Sequence, residues 1–324
     1  MISPLLTRFA LAFAAVAPLV SAEARHTVVE GWPDLPADHV LGLCAGVGVD
    51  SHNHVFVFHR RERVWSTPFP TEPIAGTTVT EIDAESGKLI ASWGAGKFIM
   101  PHGLTIDRED NVWLTDVGLH QVFKFTHDGK LLLTLGERAK PGSDQSHFNL
   151  PTDVAVLADG SFYVSDGYKN TRVVKFSAEG RYDFEWGGKG DGPGQFNLPH
   201  GIAVDSQGRV IVCDRSNSRL QVFDLRGRFL TQWKGPHLGR PYGVAAGPDG
   251  HVFAVDGGDP TAVPEERGKV VELDAEGRVL ETFGSPGRRP GQFQTGHDIA
   301  VGPDGAVYVA EGAGKRVQKF VLKP

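Results

Sequence analysis

Hydrophobic and polar positions follow one pattern that recurs along most of the chain. Each copy starts with Gly or Asp, continues with an apolar, a small and an apolar residue, and passes through a polar turn into a second apolar run. Six copies occur, and they start near Gly46, Gly103, Asp153, Gly201, Gly243 and Asp298. Short apolar runs separated by turns of the Asp-Gly type predict pairs of antiparallel strands.

A third and a fourth short strand follow the pair, as in RLQVF and then FLTQWK in the fourth copy. Repeats of four short antiparallel strands are typical of the blades of a β-propeller. The sixth copy ends at KFVLKP without a fourth strand, so we expect the segment HTVVEGW at residues 26–32 to pair there and close the ring. The sequence therefore predicts an all-β fold, in which residues 23–324 form one six-bladed β-propeller closed by an N-terminal strand.

Residues 1–22 have the pattern of a secretory signal peptide. They contain one charge, Arg8, then an apolar run over residues 9–20, and they end in small residues. The apolar run is too short to span a membrane. We therefore expect a secreted or periplasmic protein that has no contact with the membrane after signal cleavage.

Charge and cysteine content narrow the classes of protein further. Removal of the signal peptide takes one of the 33 basic residues and none of the 39 acidic ones, which leaves 32 minus 39, a formal charge of −7. An acidic chain of this kind gives no indication of nucleic acid as a partner. Cys44 and Cys213 allow at most one disulfide, so packing must stabilise the fold.

Histidine precedes the Gly or Asp of the second, fourth and sixth copies, at His102, His200 and His297. In a six-bladed ring these positions are related by threefold rotation, and the first strand of each blade lines the central channel. We therefore expect the three imidazoles to converge on the axis. Three neutral imidazoles with an open fourth position are the ligand set of a catalytic zinc site, although imidazole also suits iron, copper or cobalt. Each histidine taken alone is better explained as an ordinary polar residue of a channel, and it is the alternating pattern of all three that indicates a metal site.

The ends of the second strands lie on the same face as these histidines, because an antiparallel pair returns to the face it left. Arg60 and Arg215 occur there in blades one and four, across the ring from each other, and Tyr168 follows one residue later in blade three. Arginine grips a carboxylate with two hydrogen bonds, and a nearby cation lowers the pKa of a tyrosine. A solvated turn is the alternative for each arginine. Inserts at residues 68–77, 141–151 and 257–268 fall on this face and are candidate substrate walls.

From about residue 41 to residue 320 the chain resembles the peptidyl-α-hydroxyglycine α-amidating lyases, which are six-bladed β-propellers of NHL-type repeats. The resemblance is carried by runs such as VFHRRERVW, MPHGLTID, PGSDQSHFNLPTDVAV, VSDGYKNTRVVKFS, LPHGIAV, CDRSNSRLQVF and TGHDIAV. An NHL pattern alone is unspecific, whereas these runs in this order are highly specific. Animal members carry two disulfides in the propeller, and Cys44 and Cys213 do not reproduce those pairs.

The resemblance assigns roles to individual residues. It implies a zinc ion (Zn2+) bound by His102, His200 and His297. It implies that Tyr168 is the catalytic base and that Arg60 and Arg215 contact the substrate. It also implies a structural calcium ion (Ca2+) in the channel, held by Asp298 and by the backbone carbonyls of Val47 and Leu104, and oxygen ligands of this kind suit calcium.

The expected function is that of a metal-dependent lyase. Such an enzyme cleaves the C–N bond of an N-acyl- or peptidyl-α-hydroxyglycine and releases an amide and glyoxylate. The expected partner is a small molecule or peptide with a C-terminal α-hydroxyglycine, and the protein is expected to be a monomer. Two alternatives stay open. A non-catalytic NHL propeller that acts as a binding module predicts no bound transition metal. A lactonase-like hydrolase acting on a small carboxylate-bearing substrate would normally need acidic or amide side chains around a channel metal.

Overall fold

The computed structural model describes residues 25–258 and 268–323. Within them, six four-stranded antiparallel sheets form the blades of a ring, and this confirms the predicted six-bladed propeller. The predicted signal peptide at residues 1–22, and all but the ends of the insert at residues 257–268, lie outside the described residues. In the described part of the chain, no helix has the length and apolar character needed to cross a membrane.

The strands have the following bounds. The first is β1 (His26–Val28). Blade 1 contains β2 (Cys44–Val49), β3 (His54–His59), β4 (Val79–Asp83) and β5 (Leu89–Trp93). Blade 2 contains β6 (Pro101–Ile106), β7 (Val112–Asp116), β8 (Gln121–Phe125) and β9 (Leu131–Leu135). Blade 3 contains β10 (Asp153–Val156), β11 (Phe162–Asp166), β12 (Arg172–Phe176) and β13 (Tyr182–Gly187).

Blade 4 contains β14 (Pro199–Val204), β15 (Val210–Asp214), β16 (Arg219–Phe223) and β17 (Phe229–Lys234), with a 3-10 turn at Arg215–Asn217. Blade 5 contains β18 (Pro241–Ala246), β19 (Val252–Asp256), β20 (Lys269–Leu273) and β21 (Val279–Phe283). A short parallel pair, β22 (Ser285–Pro286) and β23 (Gln292–Phe293), leads to blade 6. Blade 6 contains β24 (Gly296–Val301), β25 (Val307–Glu311) and β26 (Arg316–Leu322).

The N-terminal strand β1 supplies the fourth strand of blade 6, as the sequence predicted. It pairs antiparallel with β26, with His26 opposite Leu322. It also contacts blade 5, because the backbone N–H of His26 donates to Glu281 at 3.0 Å and the His26 ring nitrogen Nδ1 lies 2.8 Å from the same carboxylate. The His26 ring stacks on Phe283 with 4.5 Å between ring centroids. The first described strand therefore joins blades 5 and 6 and closes the ring.

The hydrophobic core lies between neighbouring blades. The second strands of blades 2 to 6 are buried along their whole length, and that of blade 1 is buried after its first residue, because each sheet is covered on both faces by the blades beside it. Large aromatic side chains fill the space between them, and Trp113 of blade 2 packs on Phe162 of blade 3 with ring centroids 4.4 Å apart. Cys44 and Cys213 are both buried and unpaired, so no disulfide joins them.

The glycine at the start of four of the six copies marks a close approach of neighbouring inner strands. A Cβ atom on Gly103 would lie 2.5 Å from the carbonyl oxygen of Thr152 in the next blade, and one on Gly201 would lie 2.7 Å from that of Tyr242. A real side chain cannot occupy either position without moving the strand beside it. The four glycines therefore bring their inner strands against the backbone of the next one, and this contact positions the residue that precedes them.

Candidate metal centre

The three predicted histidines meet at one end of the central channel. His102, His200 and His297 are the second residues of β6, β14 and β24, and all three are buried. Their ring centroids are 4.7, 4.8 and 5.0 Å apart, which is nearly an equilateral triangle. One ligand nitrogen from each ring lies within 4.8 Å of the other two. The structure therefore brings together the three side chains that the alternating pattern singled out.

Each of these imidazoles is oriented by the backbone of the next blade. The Nδ1 atoms of His102, His200 and His297 lie 2.7 Å from the carbonyl oxygens of Thr152, Tyr242 and Ala45, respectively. A carbonyl can only accept, so Nδ1 carries the proton and donates it. The lone pair of each ring is then on Nε2, which is the arrangement found when a backbone carbonyl orients a metal-binding histidine.

Burial keeps these histidines neutral. It is the main cause that lowers the pKa of His102 and His200 well below the ordinary value, and neighbouring histidines and arginines add to the effect. Burial, followed by the charge of Arg60, lowers the pKa of His297 to about 3. Neutral imidazole is the form that binds a metal. The triangle is therefore in the ligand form at neutral pH.

The phenol of Tyr168 lies directly over this triangle. Its oxygen is 3.1 Å from Nε2 of His102 and 3.3 Å from Nε2 of His200. An Arg215 N–H donates to the same oxygen at 3.5 Å. Burial raises the pKa of Tyr168, whereas the charges of Arg215 and Arg60 lower it, so the two arginines oppose the effect of burial on this phenol.

Tyr168 owes its position to the glycine before it. A Cβ atom on Gly167 would lie 1.7 Å from the carbonyl oxygen of Pro199 in blade 4. Only glycine permits the corner after β11 to press so closely against the start of β14. This contact carries the next residue inward over the histidines of blades 2 and 4.

Both predicted arginines are at the centre, and each has an unpartnered N–H group. Arg60 is buried, and its Nε donates to the carbonyl of Pro101 at 2.7 Å, while its buried Nη2 has no hydrogen-bond partner in the described structure. Arg215 lies 3.7 Å from the centre of the Tyr242 ring and donates to the Tyr242 hydroxyl, while its Nε has no partner there. Buried donors without partners are costly, and an anionic ligand between the two side chains would satisfy them.

Aromatic residues of blade 1 cover the centre from outside. Trp65 lies 4.9 Å from the Tyr168 ring and 4.8 Å from Phe69, and the Arg60 guanidinium is 5.7 Å from the Trp65 ring. Next to Arg60 is a cavity of about 400 Å3 whose wall includes Pro70 and Ile74. These two belong to the insert at residues 68–77 that the sequence predicted as a wall of this face.

A second layer of charged groups lies deeper in the channel. Asp298 accepts from the N–H of Val47 at 3.0 Å, and Asp153 accepts from the N–H of Ile202 at 3.0 Å. Both carboxylates line a cavity of about 230 Å3, and Val47 and Leu104 are also in its wall. Burial raises the pKa of Asp298 to about 7, and burial together with the Asp298 charge raises the pKa of Asp153 well above the ordinary value. A cation between the two would stabilise their ionised forms.

A narrow space connects the two layers. It has a volume of about 10 Å3 and is bounded by His102, His200 and His297 on one side and by Asp153 and Asp298 on the other. That volume is close to what one water molecule needs. The histidine layer and the carboxylate layer are therefore neighbouring but separate levels of one channel.

The acidic residues at the ends of the second strands have a structural role. Asp116 accepts from the backbone N–H groups of Ile99 at 2.7 Å and Leu119 at 2.9 Å. Asp214 accepts from the N–H of Asn197 at 2.7 Å and pairs with Arg219. These carboxylates fix the segment that enters each inner strand.

Three residues of the centre were not among the predicted site residues. Tyr242 directly precedes Gly243, the start of the fifth copy, and Asp153 is itself the start of the third copy, so their positions could have been inferred. Trp65 lies in a segment without periodicity, and no sequence signal places its ring beside Tyr168.

Comparison with known proteins identifies one repeat family and several relatives. The NHL repeat family model matches residues 148–176 and 196–223. The chain is 38% identical to peptidyl-glycine alpha-amidating monooxygenase B of Xenopus laevis over 89% of its own length and 35% of that protein. It is 36% identical to peptidyl-alpha-hydroxyglycine alpha-amidating lyase 2 of Drosophila melanogaster, over 91% of this chain and 75% of that protein. A probable lyase of the same name in Caenorhabditis elegans is 32% identical over 87% of this chain and 83% of that protein.

The match to the longer relatives is partial, since the chain spans about a third of their length. Among solved structures, a streptogramin B lyase is similar with a TM-score of 0.60 and 15% identity, over 93% of this chain and all of that one. At that identity the likeness concerns the propeller fold alone.

Proposed function

The chain belongs to the peptidyl-α-hydroxyglycine α-amidating lyases, and we propose that it cleaves the C–N bond of an N-acyl- or peptidyl-α-hydroxyglycine, releasing an amide and glyoxylate. One observation carries the assignment of this chemistry to the channel. Three imidazole nitrogens that could hold a metal lie beside the phenol of Tyr168, which accepts from Arg215, and both Arg60 and Arg215 have a buried N–H group without a partner. Family membership favours this function over a non-catalytic binding module or a lactonase-like hydrolase.

The residues of the centre fit a divalent metal, and we propose zinc. The fit rests on the Nδ1–carbonyl bonds, which leave the lone pair of each ring on Nε2, and on the spacing of the three rings, each with a ligand nitrogen within 4.8 Å of the other two. His102, His200 and His297 would hold the ion with a fourth position open to substrate. When bound there, a metal of this kind supplies Lewis acidity that lowers the pKa of a substrate hydroxyl.

Tyr168 is the proposed base. In its phenolate form it takes the proton of the α-hydroxyl group, the electron pair of that O–H bond becomes the second C–O bond of the glyoxylate aldehyde, and the C–N bond breaks. The electron pair of the C–N bond stays on nitrogen, which receives a proton from the Tyr168 hydroxyl. Atoms and charge then balance, and Tyr168 returns to its starting form. Arg215, which donates to the phenol oxygen, stabilises the anionic form.

Arg60 and Arg215 are the proposed carboxylate binders. The unpartnered Nη2 of Arg60 and Nε of Arg215 offer donors to the glycine carboxylate, and both side chains are held from behind, by Pro101 and by Tyr242. Because the buried N–H groups lack other partners, they gain hydrogen bonds only when an anion enters. We propose that the acyl or peptide part of the substrate extends past Trp65 into the cavity beside Arg60.

Other features of the protein stay proposals. A structural calcium ion fits the channel layer that contains Asp298, Val47 and Leu104, and Asp153 faces the same cavity. The pattern of residues 1–22 supports secretion or a periplasmic location, and we propose that the protein acts there as a monomer.

The test is product formation from α-hydroxyhippurate, the simplest aromatic N-acyl-α-hydroxyglycine. Zinc-loaded protein is expected to release glyoxylate and benzamide in equal amounts, and chelator-treated protein is expected to release neither above the background rate. The exposed variant Arg181→Ala on the outer turn of blade 3 serves as a control and should match the unmodified protein. Absence of both products from protein with metal bound at the three histidines would rule out the lyase function.

A further inference from the structure

A second group of histidines and carboxylates lies at the opposite end of the ring from the metal centre. Asp50 directly follows β2, His54 begins β3, and Glu81 is in β4 of the same blade. His127 comes from the turn after β8 in blade 2. Since the inner strands begin at the histidine layer, the end of β2 and the end of β8 are at the other face. The group therefore joins blades 1 and 2 and does not touch the metal centre.

Two histidine nitrogens and two carboxylate oxygens of this group lie close together. His54 Nδ1 is 3.2 Å from Asp50 Oδ2 and 3.1 Å from Glu81 Oε1. His127 Nε2 is 3.1 Å from the same Asp50 oxygen and 3.3 Å from the same Glu81 oxygen. In a tetrahedral zinc site with bonds of about 2.0 to 2.1 Å, neighbouring ligand atoms are about 3.3 Å apart. Four of the six distances among these two nitrogens and two oxygens are close to that value, and one ligand atom from each of Asp50, His54 and His127 lies within 4.8 Å of the other two.

Two of the four atoms have no hydrogen-bond partner. Neither Nδ1 of His54 nor Oε1 of Glu81 makes a hydrogen bond in the described structure, although the two are only 3.1 Å apart. The Glu81 side chain is 97% buried, with 3% of its surface exposed. Asp50 is pre-oriented, since its Oδ1 accepts the N–H groups of His52 at 2.9 Å and His54 at 2.7 Å, which leaves Oδ2 for the group.

The equivalent place in blade 2 is neutralised by a lysine. Asp107 corresponds to Asp50, and Lys124, which occupies the strand position of Glu81, pairs with it at 3.0 Å. Blade 1 thus has a second carboxylate where blade 2 has the cation. Among the residues that the structure describes, neither Asp50 nor Glu81 forms an ion pair with a lysine or an arginine.

Blade 5 also has a glutamate at this strand position, and an arginine neutralises its charge. Glu272 occupies the position of Glu81, and His251 occupies that of His54. There, Arg25 from the segment before β1 pairs with Glu272 at 2.6 Å. Blade 1, like blade 5, has a glutamate where blade 2 has a lysine. In blade 1, however, a second histidine, His127, contacts this glutamate in place of the arginine.

We propose that Asp50, His54, Glu81 and His127 bind one zinc ion that links blade 1 to blade 2. Two imidazole nitrogens and two carboxylate oxygens are a ligand set that zinc accepts, and four protein ligands make the site structural. The ion can enter from solvent, because the side chains of His54 and His127 are 29% and 38% exposed. The His127 ring packs edge-to-face on Phe56, with 5.0 Å between centroids.

The experiment counts zinc ions per chain. Chelator-treated protein is incubated with zinc, passed over a desalting column and measured by elemental analysis. The unmodified protein is expected to retain two ions, and the double variant His54→Gln/His127→Gln one, with its lyase activity preserved. The exposed neighbour His52→Gln is the matched control and should retain two. Equal zinc content in the unmodified protein and the double variant would overturn the proposal and favour two protonated histidines paired with the carboxylates.

A second measurement covers the case in which the double variant fails to fold. Cobalt added to chelator-treated unmodified protein should give two saturable steps in the visible absorption of tetrahedral cobalt. The single variant Glu81→Gln, which keeps the side-chain volume, should give one, and two unchanged steps in Glu81→Gln would contradict the site. Failure of this second site can be distinguished from failure of the proposed lyase function. If the three channel histidines did not bind metal, every variant would bind one ion fewer and activity would be lost.

Discussion

Replacement of Tyr168 by phenylalanine removes one oxygen atom from the centre and little else. The ring contacts with Trp65, at 4.9 Å, and with His102, at 5.3 Å, do not involve the hydroxyl and should persist. What is lost is the oxygen 3.1 Å from His102 Nε2 and 3.3 Å from His200 Nε2. A positioned general base contributes about 10² to 10⁴ in rate, which is about 2.7 to 5.4 kcal/mol of barrier at 1.36 kcal/mol per tenfold. We therefore expect kcat to fall by that factor.

The assay is glyoxylate release at saturating α-hydroxyhippurate, with zinc content and thermal unfolding measured on the same preparations. Tyr168→Phe should keep its zinc, and its free energy of unfolding should change by only about 1 kcal/mol, the value of one ordinary hydrogen bond. Tyr242→Phe is the matched control, since its hydroxyl contacts Arg215 but neither histidine Nε2, and it should lose less than about tenfold in kcat. A Tyr168→Phe enzyme with bound zinc and nearly unchanged kcat would refute the role of Tyr168 as base.

Three further outcomes are expected. Arg60→Gln removes the unpartnered donor beside the substrate carboxylate, so kcat/KM should fall about tenfold or more while zinc content stays the same, as kinetics and elemental analysis would show. Gly167→Ala would place a Cβ atom 1.7 Å from the Pro199 carbonyl, so its melting temperature by circular dichroism should drop and its activity should be lost. Burial raises the pKa of Glu281, but the hydrogen bonds from His26 together lower it by more, so the pKa lies below its usual 4.5. The ionised Glu281 therefore stabilises the fold above pH 4.5, and this stabilisation is lost as the pH falls through the lowered pKa. Glu281→Gln should therefore melt earlier than the unmodified protein at pH 7, with the difference shrinking below pH 4.5; a difference that is the same at both pH values would contradict the closure contact.

The fold could be predicted because five of the six copies carry the pattern of all four strands of a blade, and the sixth lacks only the last strand. The glycine in four of the six inner strands recurs for a physical reason, since at Gly103 and Gly201 the next strand leaves no room for a side chain. The role of the N-terminal strand followed from the missing fourth strand of the last copy, and β1 pairs there. Patterns of this kind lie within a single repeat, so the sequence alone is enough to identify them.

The convergence of the histidines followed from symmetry, whereas their environment did not. The bond from His102 Nδ1 to the Thr152 carbonyl depends on how closely two blades approach, and no residue pattern encodes that distance. Trp65 reaches Tyr168 from a segment without a repeat. The pairing of His54 with His127 joins different blades through a turn, and only the assembled ring brings the two side chains together.

The most direct test of the metal centre is diffraction from crystals of zinc-loaded protein, recorded on both sides of the zinc absorption edge. The geometry predicts an anomalous peak on the channel axis, about 2.0 to 2.1 Å from Nε2 of His102, His200 and His297, with the Tyr168 hydroxyl beside its open position. No peak there in crystals of protein that has taken up zinc, or imidazoles turned away from the axis, would contradict the assignment of a metal to these three residues.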